Sequence, residues 1–275
     1  MKRKSPTAAA WLTTALVMAL LGCAAPKPAP TTGTGSLAEA WRIISHKRFV
    51  DLTHTFSPAT PVWPGFGPAT FSAAADPATG RPYTIDKDGF RTFQYSLVGQ
   101  YGTHVDPPAH FDAHGKTLDE LSVSDMVLPL VVLDITPKLH DDPNHALTIE
   151  DVLVWEKVNG RVPSGSFAAL RTDMHKDWDT NPERFKRQPF PAWSPKAIRF
   201  LYEQRGIVAN GHESMDTDIT PDLKSEAWLL RHGHWQLEGM ANLDQVPARG
   251  ALLVVAWPKP KGGLGFPVRA FAILP

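Results

Sequence analysis

Two separated runs, "LPLVVLDI" at residues 128–135 and "ALLVVAW" at residues 251–257, are apolar almost throughout. A strand with one wet face alternates apolar and polar residues, so continuous apolar runs point to strands covered on both faces. Other strand-like segments are Phe49–Thr53, Thr92–Val98, Ser166–Arg171, Gly206–Ala209 and Val268–Leu274. Helices are fewer. Thr148 and Asp151 form a capping arrangement for Ile149–Val158, stopped by Gly160. Ser194 followed by Pro195 starts a helix running to about Gln204, with Gly206 past its end. The pattern predicts a mixed α/β chain with a β-rich core. The 26 prolines and 20 glycines predict many turns. No repeat or internal linker divides residues 37–275, so one domain is expected there.

The first residues belong to a different design. Lys2, Arg3 and Lys4 precede an uncharged apolar stretch from Ala8 to Leu21. That stretch is short for a membrane-spanning helix and right for the core of a secretory signal. It ends in "LLGC", which resembles a bacterial lipobox. Residues 1–22 are therefore expected to be removed, with a lipid on Cys23 anchoring the mature chain to the cell envelope on its periplasmic side. Residues 23–36, rich in Pro, Thr and Gly, form a flexible tether. Cys23 is the only cysteine, which excludes an intrachain disulfide and a Cys-based metal cage. Acidic and basic residues number 28 each, and no basic patch occurs, so nucleic acid is not an expected partner.

The chemistry concentrates in "QYGTHVDPPAHF", residues 100–111. In extended backbone the side chains of Gln100, His104 and Asp106 point the same way, while Thr103 and Val105 face the other side. Pro107 and Pro108 offer no N–H and bend the chain, so His110 can return toward the same point. An imidazole, a carboxylate and an amide oxygen converging there suit a divalent cation. The plainer reading makes His104 and His110 hydrogen-bonded loop residues and Asp106 a turn cap.

The same stretch resembles the H-x-G-T-H-x-D-x-P-x-H-F motif of the cyclase family of metal-dependent hydrolases, which includes bacterial kynurenine formamidase and isatin hydrolase. Further matches follow in order: "DLTHTFSPATPVWPG" from Asp51, "LRTDM" from Leu170, "LEGMANLDQVP" from Leu237, and "VVAWPKPKGGLGFPVRAFAIL" near the end. The resemblance implies a swivelling β/β/α domain, assembled as a dimer or larger homo-oligomer. It implies that His104, Asp106 and Glu238 are ligands of one or two divalent ions per subunit, Glu238 bridging if there are two. His110 becomes the acid/base and Trp63 a wall of the small-molecule pocket. The implied activity is hydrolysis of an aryl formamide or cyclic amide by metal-bound hydroxide.

Two positions depart from the motif. Gln100 and Glu226 stand where histidines are expected, either as oxygen ligands or, for Gln100, as a supporting hydrogen-bonder. Oxygen in place of nitrogen shifts the expected ion from zinc toward manganese. The same departures allow an alternative, a surface lipoprotein that binds a metal or small ligand without turnover. His212, in "NGHESMDTD", is a candidate for the substrate pocket or for a supporting role behind a ligand, against plain loop packing; His54 and His175 are further pocket candidates. Trp63, Phe66 and Tyr101 are expected to supply an aromatic wall. A nucleophilic route is not expected, because Cys23 carries the lipid and no serine lies in a G-x-S-x-G elbow.

Overall fold

A computed structural model describes residues 35–275. Residues 1–22, Cys23 and nearly all of the expected tether lie outside the described residues. The chain divides after Ile43, and the body that carries the sheet spans residues 44–275. Helix α1 (Leu37–Ile44) opens the described residues ahead of that body. Among the described residues no helix is long and apolar enough to cross a membrane.

The strands are β1 (Phe49–Asp51), β2 (Thr70–Ala73), β3 (Phe93–Ser96), β4 (His104–Asp106), β5 (Val127–Asp134), β6 (Ala146–Leu147), β7 (Phe167–Arg171), β8 (Ala192–Trp193), β9 (Ala209–His212), β10 (Trp235–Glu238), β11 (Ala251–Ala256), β12 (Phe266–Pro267) and β13 (Arg269–Ile273). After α1 come helices α2 (Ile85–Asp88), α3 (Ile149–Asn159), α4 (Asp177–Thr180), α5 (Pro182–Phe185), α6 (Pro195–Phe200) and α7 (Lys224–Arg231). Nine strands make one sheet in the order β1-β13-β11-β5-β7-β9-β10-β4-β12. Its middle, β5-β7-β9-β10, is parallel, and the remaining pairings are antiparallel. Parallel neighbours need crossovers, and α3, α6 and α7 lie in those connections. The expected mixed α/β class, β-rich with few helices, is what the chain adopts.

The sheet curls so that the segment after β1 meets the segment after β10, with the Ala241 amide donating to Leu52 O at 3.0 Å and Thr53 bridging Met240. Inside the curl lies an apolar core built from Leu128, Leu130 and Val132 of β5, Val105 of β4 and Leu237 of β10, among others. On the outer face Val131, Leu133, Ala168 and Leu170 pack under α3, α6 and α7. β5 is therefore covered on both sides, as its sequence requires. β11 is not: Ala251, Leu253 and Val255 are buried, but Leu252 and Val254 are only half-buried and Ala256 is exposed.

Helix α3 carries the expected capping box, with Thr148 accepting from the Asp151 amide. Helix α6 ends sooner than expected, widening into a π turn over Leu201–Arg205 before Gly206 closes it in the left-handed region. Because Gly206 belongs to that closure, β9 starts at Ala209 and not at Gly206, and it ends on His212.

Candidate metal centre

β4 and β10 run antiparallel with His104 opposite Glu238 and Asp106 opposite Gln236. Side chains alternate along strands, so these four share the outer face while Val105 and Leu237 enter the inner core. β9 lies beside β10 with Asn210 level with Gln236, which puts His212 next to Glu238 on that same face. The site thus forms at the carboxyl ends of parallel strands, where an open α/β sheet offers a crevice. Helix α7 adds Glu226 from its first turn. Asp218 holds that turn by accepting the amides of Ser225 and Glu226 at 2.8–3.0 Å.

Gly102, at φ +67, ends the extended run just ahead of β4, a backbone state that favours glycine. Gln100 therefore leaves the strand face. Its amide nitrogen donates to Leu264 O at 2.7 Å and to Asp106 Oδ1 at 3.3 Å. A carbonyl oxygen only accepts, so nitrogen faces the site and oxygen does not. Of the two roles left open for Gln100, the geometry gives it the supporting one. The double proline does return the chain: His110 Nδ1 lies 3.5 Å from the Gln100 nitrogen, and Nε2 lies 4.0 Å from Glu226 Oε1.

His104 Nδ1 lies 3.0 Å from Gly102 O, so Nδ1 carries a proton and Nε2 is the free position. Nε2 is buried, makes no hydrogen bond, and lies 3.5 Å from both Asp106 Oδ2 and Glu238 Oε2. Burial opposes charge on His104, yet Asp106 and then Glu238 raise its pKa to about 9. Burial likewise opposes the Asp106 carboxylate, but His104 and His110 hold its pKa down at about 2. Burial and the nearby Asp106 push Glu238 up to about 8, and burial and Glu238 push Asp216 to about 7. Glu226 rises well above the usual range through burial and the repulsion of Glu238 and Asp106. Protons held this way are the ones a divalent cation displaces on binding.

Ligand atoms of His104, Asp106 and Glu238 lie within 4.8 Å of one another, and so do those of Asp216, Glu226 and Glu238. The buried, unbonded His104 nitrogen between two carboxylates is a donor set that fits a divalent ion. Gln236 straps the cluster together, its nitrogen donating to Glu238 at 2.9 Å, Glu226 at 3.2 Å and Asp106 at 3.3 Å. Reading the sequence missed both Gln236 and Asp216. The signal for Gln236 was present, because "WQLE" repeats the two-residue spacing of "HVD".

Of the roles left open for His212, the structure places it in support behind a ligand and not in the cavity wall. It is fully buried behind Glu238, outside the cavity wall. The Trp193 indole donates to His212 Nδ1 at 3.2 Å. An indole N–H only donates, so Nε2 carries the His212 proton, 3.4 Å from Glu238 Oε1 without forming a hydrogen bond to it. Burial lowers the His212 pKa to about 4, so the ring stays neutral.

A cavity of about 340 Å³ opens over the carboxylates and His110. Trp63, Phe66, Phe111, Trp178, Phe185 and Leu223 line it, and no lysine or arginine does. Tyr101 departs from the expected aromatic wall. It is buried, its hydroxyl donating to Ser57 O at 2.8 Å and accepting from the Ala69 amide at 3.2 Å, which pins both ends of the Trp63 loop. His54 stands behind the wall, stacked on Trp178 with ring centroids 4.1 Å apart.

Comparison with known proteins agrees with this geometry. The Cyclase family profile, described as "Putative cyclase", matches residues 50–219. The isatin hydrolase of Roseibium aggregatum is 30% identical over 247 residues, covering 82% of this chain and 91% of that protein. The kynurenine formamidase of Salinibacter ruber is 25% identical over 222 residues, covering 80% and 95%. The structure of isatin hydrolase A from Labrenzia aggregata bound to benzyl benzoate superposes with a TM-score of 0.76 at 30% identity, covering 86% of this chain and 97% of that one.

Proposed function

The chain belongs to the cyclase family, and on that premise we propose that it is a metal-dependent hydrolase of an aryl amide, formamide or cyclic amide. One observation carries the reading: His104, Asp106 and Glu238 converge beneath an aromatic cavity that His110 also faces. Relatives named isatin hydrolase and kynurenine formamidase support a carbon–nitrogen bond as the target.

His104 Nε2, Asp106 and Glu238 would hold the cation, manganese or zinc. When bound, such an ion supplies Lewis acidity, polarising a carbonyl and making water acidic enough to ionise near neutral pH. The remaining work falls to side chains. Trp63, Phe66 and Trp178 take the aryl group and keep bulk water away from it. His110 Nδ1 lies on the Gln100 side and Nε2 lies 4.0 Å from Glu226, toward the centre. From there His110 would take a proton from the attacking water and return it to the leaving nitrogen. With acidic groups in the floor and no basic residue in the wall, an uncharged aryl amide is favoured over one carrying a free carboxylate.

The test uses manganese-loaded protein against isatin, formanilide and N-formylkynurenine. The expected order is higher kcat/KM on the two uncharged compounds than on N-formylkynurenine. Bound metal with no turnover on any amide, lactam or lactone would favour the binding lipoprotein instead. The "LLGC" segment supports export and a lipid on Cys23, which the mass of the N-terminal peptide from purified membranes checks. A homo-oligomer is proposed with it, and light scattering on the purified protein checks that.

A further inference from the structure

The cavity over the carboxylates shares a wall with another. Trp63, Met215, Asp216 and Leu223 line it, and the same four residues line a second cavity of about 260 Å³. The partition is therefore a single layer of residues. Leu223 stands in it under backbone strain, left-handed at φ +50, where a bulky side chain is rare. It is kept there because its carbonyl accepts the Ala227 amide at 2.9 Å and so begins α7, while Asp218 holds the turn that follows. The strain thus sets an apolar residue between two cavities. Beyond the partition the lining changes. Pro64, Phe190 and Pro221 make it apolar, and Lys186 there already pairs with Glu183 at 2.7 Å. An anionic group would meet Asp216, which adjoins Glu226 and Glu238. An uncharged chain fits this space best.

We infer that the second cavity is a subsite for the acyl chain of the substrate, so that the linear amides taken are N-acyl arylamines with an uncharged acyl group of several carbons, and not formamides alone. His110, Phe66 and Trp178 line the first cavity but not the second. His110 serves the leaving nitrogen, so the aryl group on that nitrogen stays among them. With the nitrogen toward His110 and the oxygen toward the cation, the third bond of the carbonyl carbon faces the partition. A formyl hydrogen leaves the space behind it unfilled. An acyl chain passing Met215 and Leu223 fills that space and removes apolar surface from water. A cyclic amide such as isatin has no free acyl chain and gains nothing from it.

This rests on the amide-hydrolase reading of the first cavity, and the experiment separates the two by measuring binding apart from turnover. Full-length manganese-loaded protein is titrated by calorimetry with benzyl methyl, benzyl propyl and benzyl pentyl ketone, in which a methylene replaces the amide N–H so that nothing is hydrolysed. Kd is expected to fall by at least about tenfold from the methyl to the pentyl compound. In turnover, kcat/KM should rise from formanilide through butyranilide to hexananilide. Pro221→Trp, at an exposed position, fills the second cavity and should erase most of that dependence on chain length. Lys186→Trp fills it from another side should Pro221→Trp not fold. The carboxylate 4-oxo-5-phenylpentanoate should bind more weakly than benzyl propyl ketone. Equal Kd along the ketone series, a length dependence that survives both variants, or tighter binding of the carboxylate overturns the acyl subsite. Length-dependent binding with no turnover of any anilide overturns the hydrolase reading and leaves the subsite standing.

Discussion

The outer face of the sheet has two halves that share a layer and differ in everything else. Under α3 and α6, strands β5 and β7 present Val131, Leu133, Ala168 and Leu170, and these close on helix side chains with nothing left open. Beneath α7, strands β9, β10 and β4 present Asn210, His212, Gln236, Glu238, His104 and Asp106, equally buried. The first half stabilises the fold by removing apolar surface from water. The second opposes it, because charged groups lose their hydration and meet one another. A fold keeps such a half only where something else satisfies it, and a divalent cation on His104, Asp106 and Glu238 would do so here. Glu213 shows the other solution. It is just as buried, but its oxygens accept the amides of Thr172, Asp173 and Leu243 at 2.7–3.2 Å in place of facing other carboxylates, although burial still raises its pKa to about 7.

That contrast can be broken most severely at Glu238. Glu238→Gln should remove cation binding and lower turnover by at least about a thousandfold, the equivalent of several kcal/mol of lost Lewis-acid assistance. Metal content and kcat/KM measured on one preparation check it. His110→Ala should lower turnover by about 10²–10⁴ while metal content stays at the wild-type value, since this residue moves protons and holds no ion. On the apolar half the signature reverses. Leu170→Ala, at a fully buried position, should cost about 2–5 kcal/mol of stability in urea unfolding and leave kcat per folded molecule unchanged.

Smaller effects sharpen the picture. Trp193→Phe keeps the packing but removes the donor to His212, and metal affinity should fall by about tenfold, as for other outer partners of metal ligands. The weakest effect is on pH dependence. In metal-free protein Asp216 titrates near 7 and Glu238 near 8, both raised from ordinary carboxylate values, and His104 near 9, raised from 6.5. Groups with raised pKa values contribute stability that is full below their unfolded values and is lost as pH rises through the folded ones. Melting temperature with chelator present should therefore decline from about pH 5 to about pH 9, and Mn²⁺ should flatten the decline.

The same division decides what could be read from the sequence. β5, β7, β11 and β13 announce themselves through apolar runs, and α3 through its capping box. β10 does not, because Gln236 and Glu238 interrupt the apolar pattern at the two positions that carry chemistry. Glu238 entered only through resemblance to the cyclase family, since cross-strand pairing with His104 leaves no local trace. His212 stayed ambiguous for the opposite reason: a histidine among acids suits a pocket or a support for a ligand equally, and only the fold shows Trp193 behind it. Gln100 does reach Asp106 and His110, but it does so off the strand face, because the left-handed backbone of Gly102 breaks the alternation that the count assumed.

Anomalous diffraction from crystals grown with Mn²⁺, recorded near the manganese absorption edge, tests the central claim most directly. The account predicts a peak within about 2.0–2.3 Å of His104 Nε2 and of oxygens of Asp106 and Glu238. A peak elsewhere, or none with Mn²⁺ in excess, would contradict it.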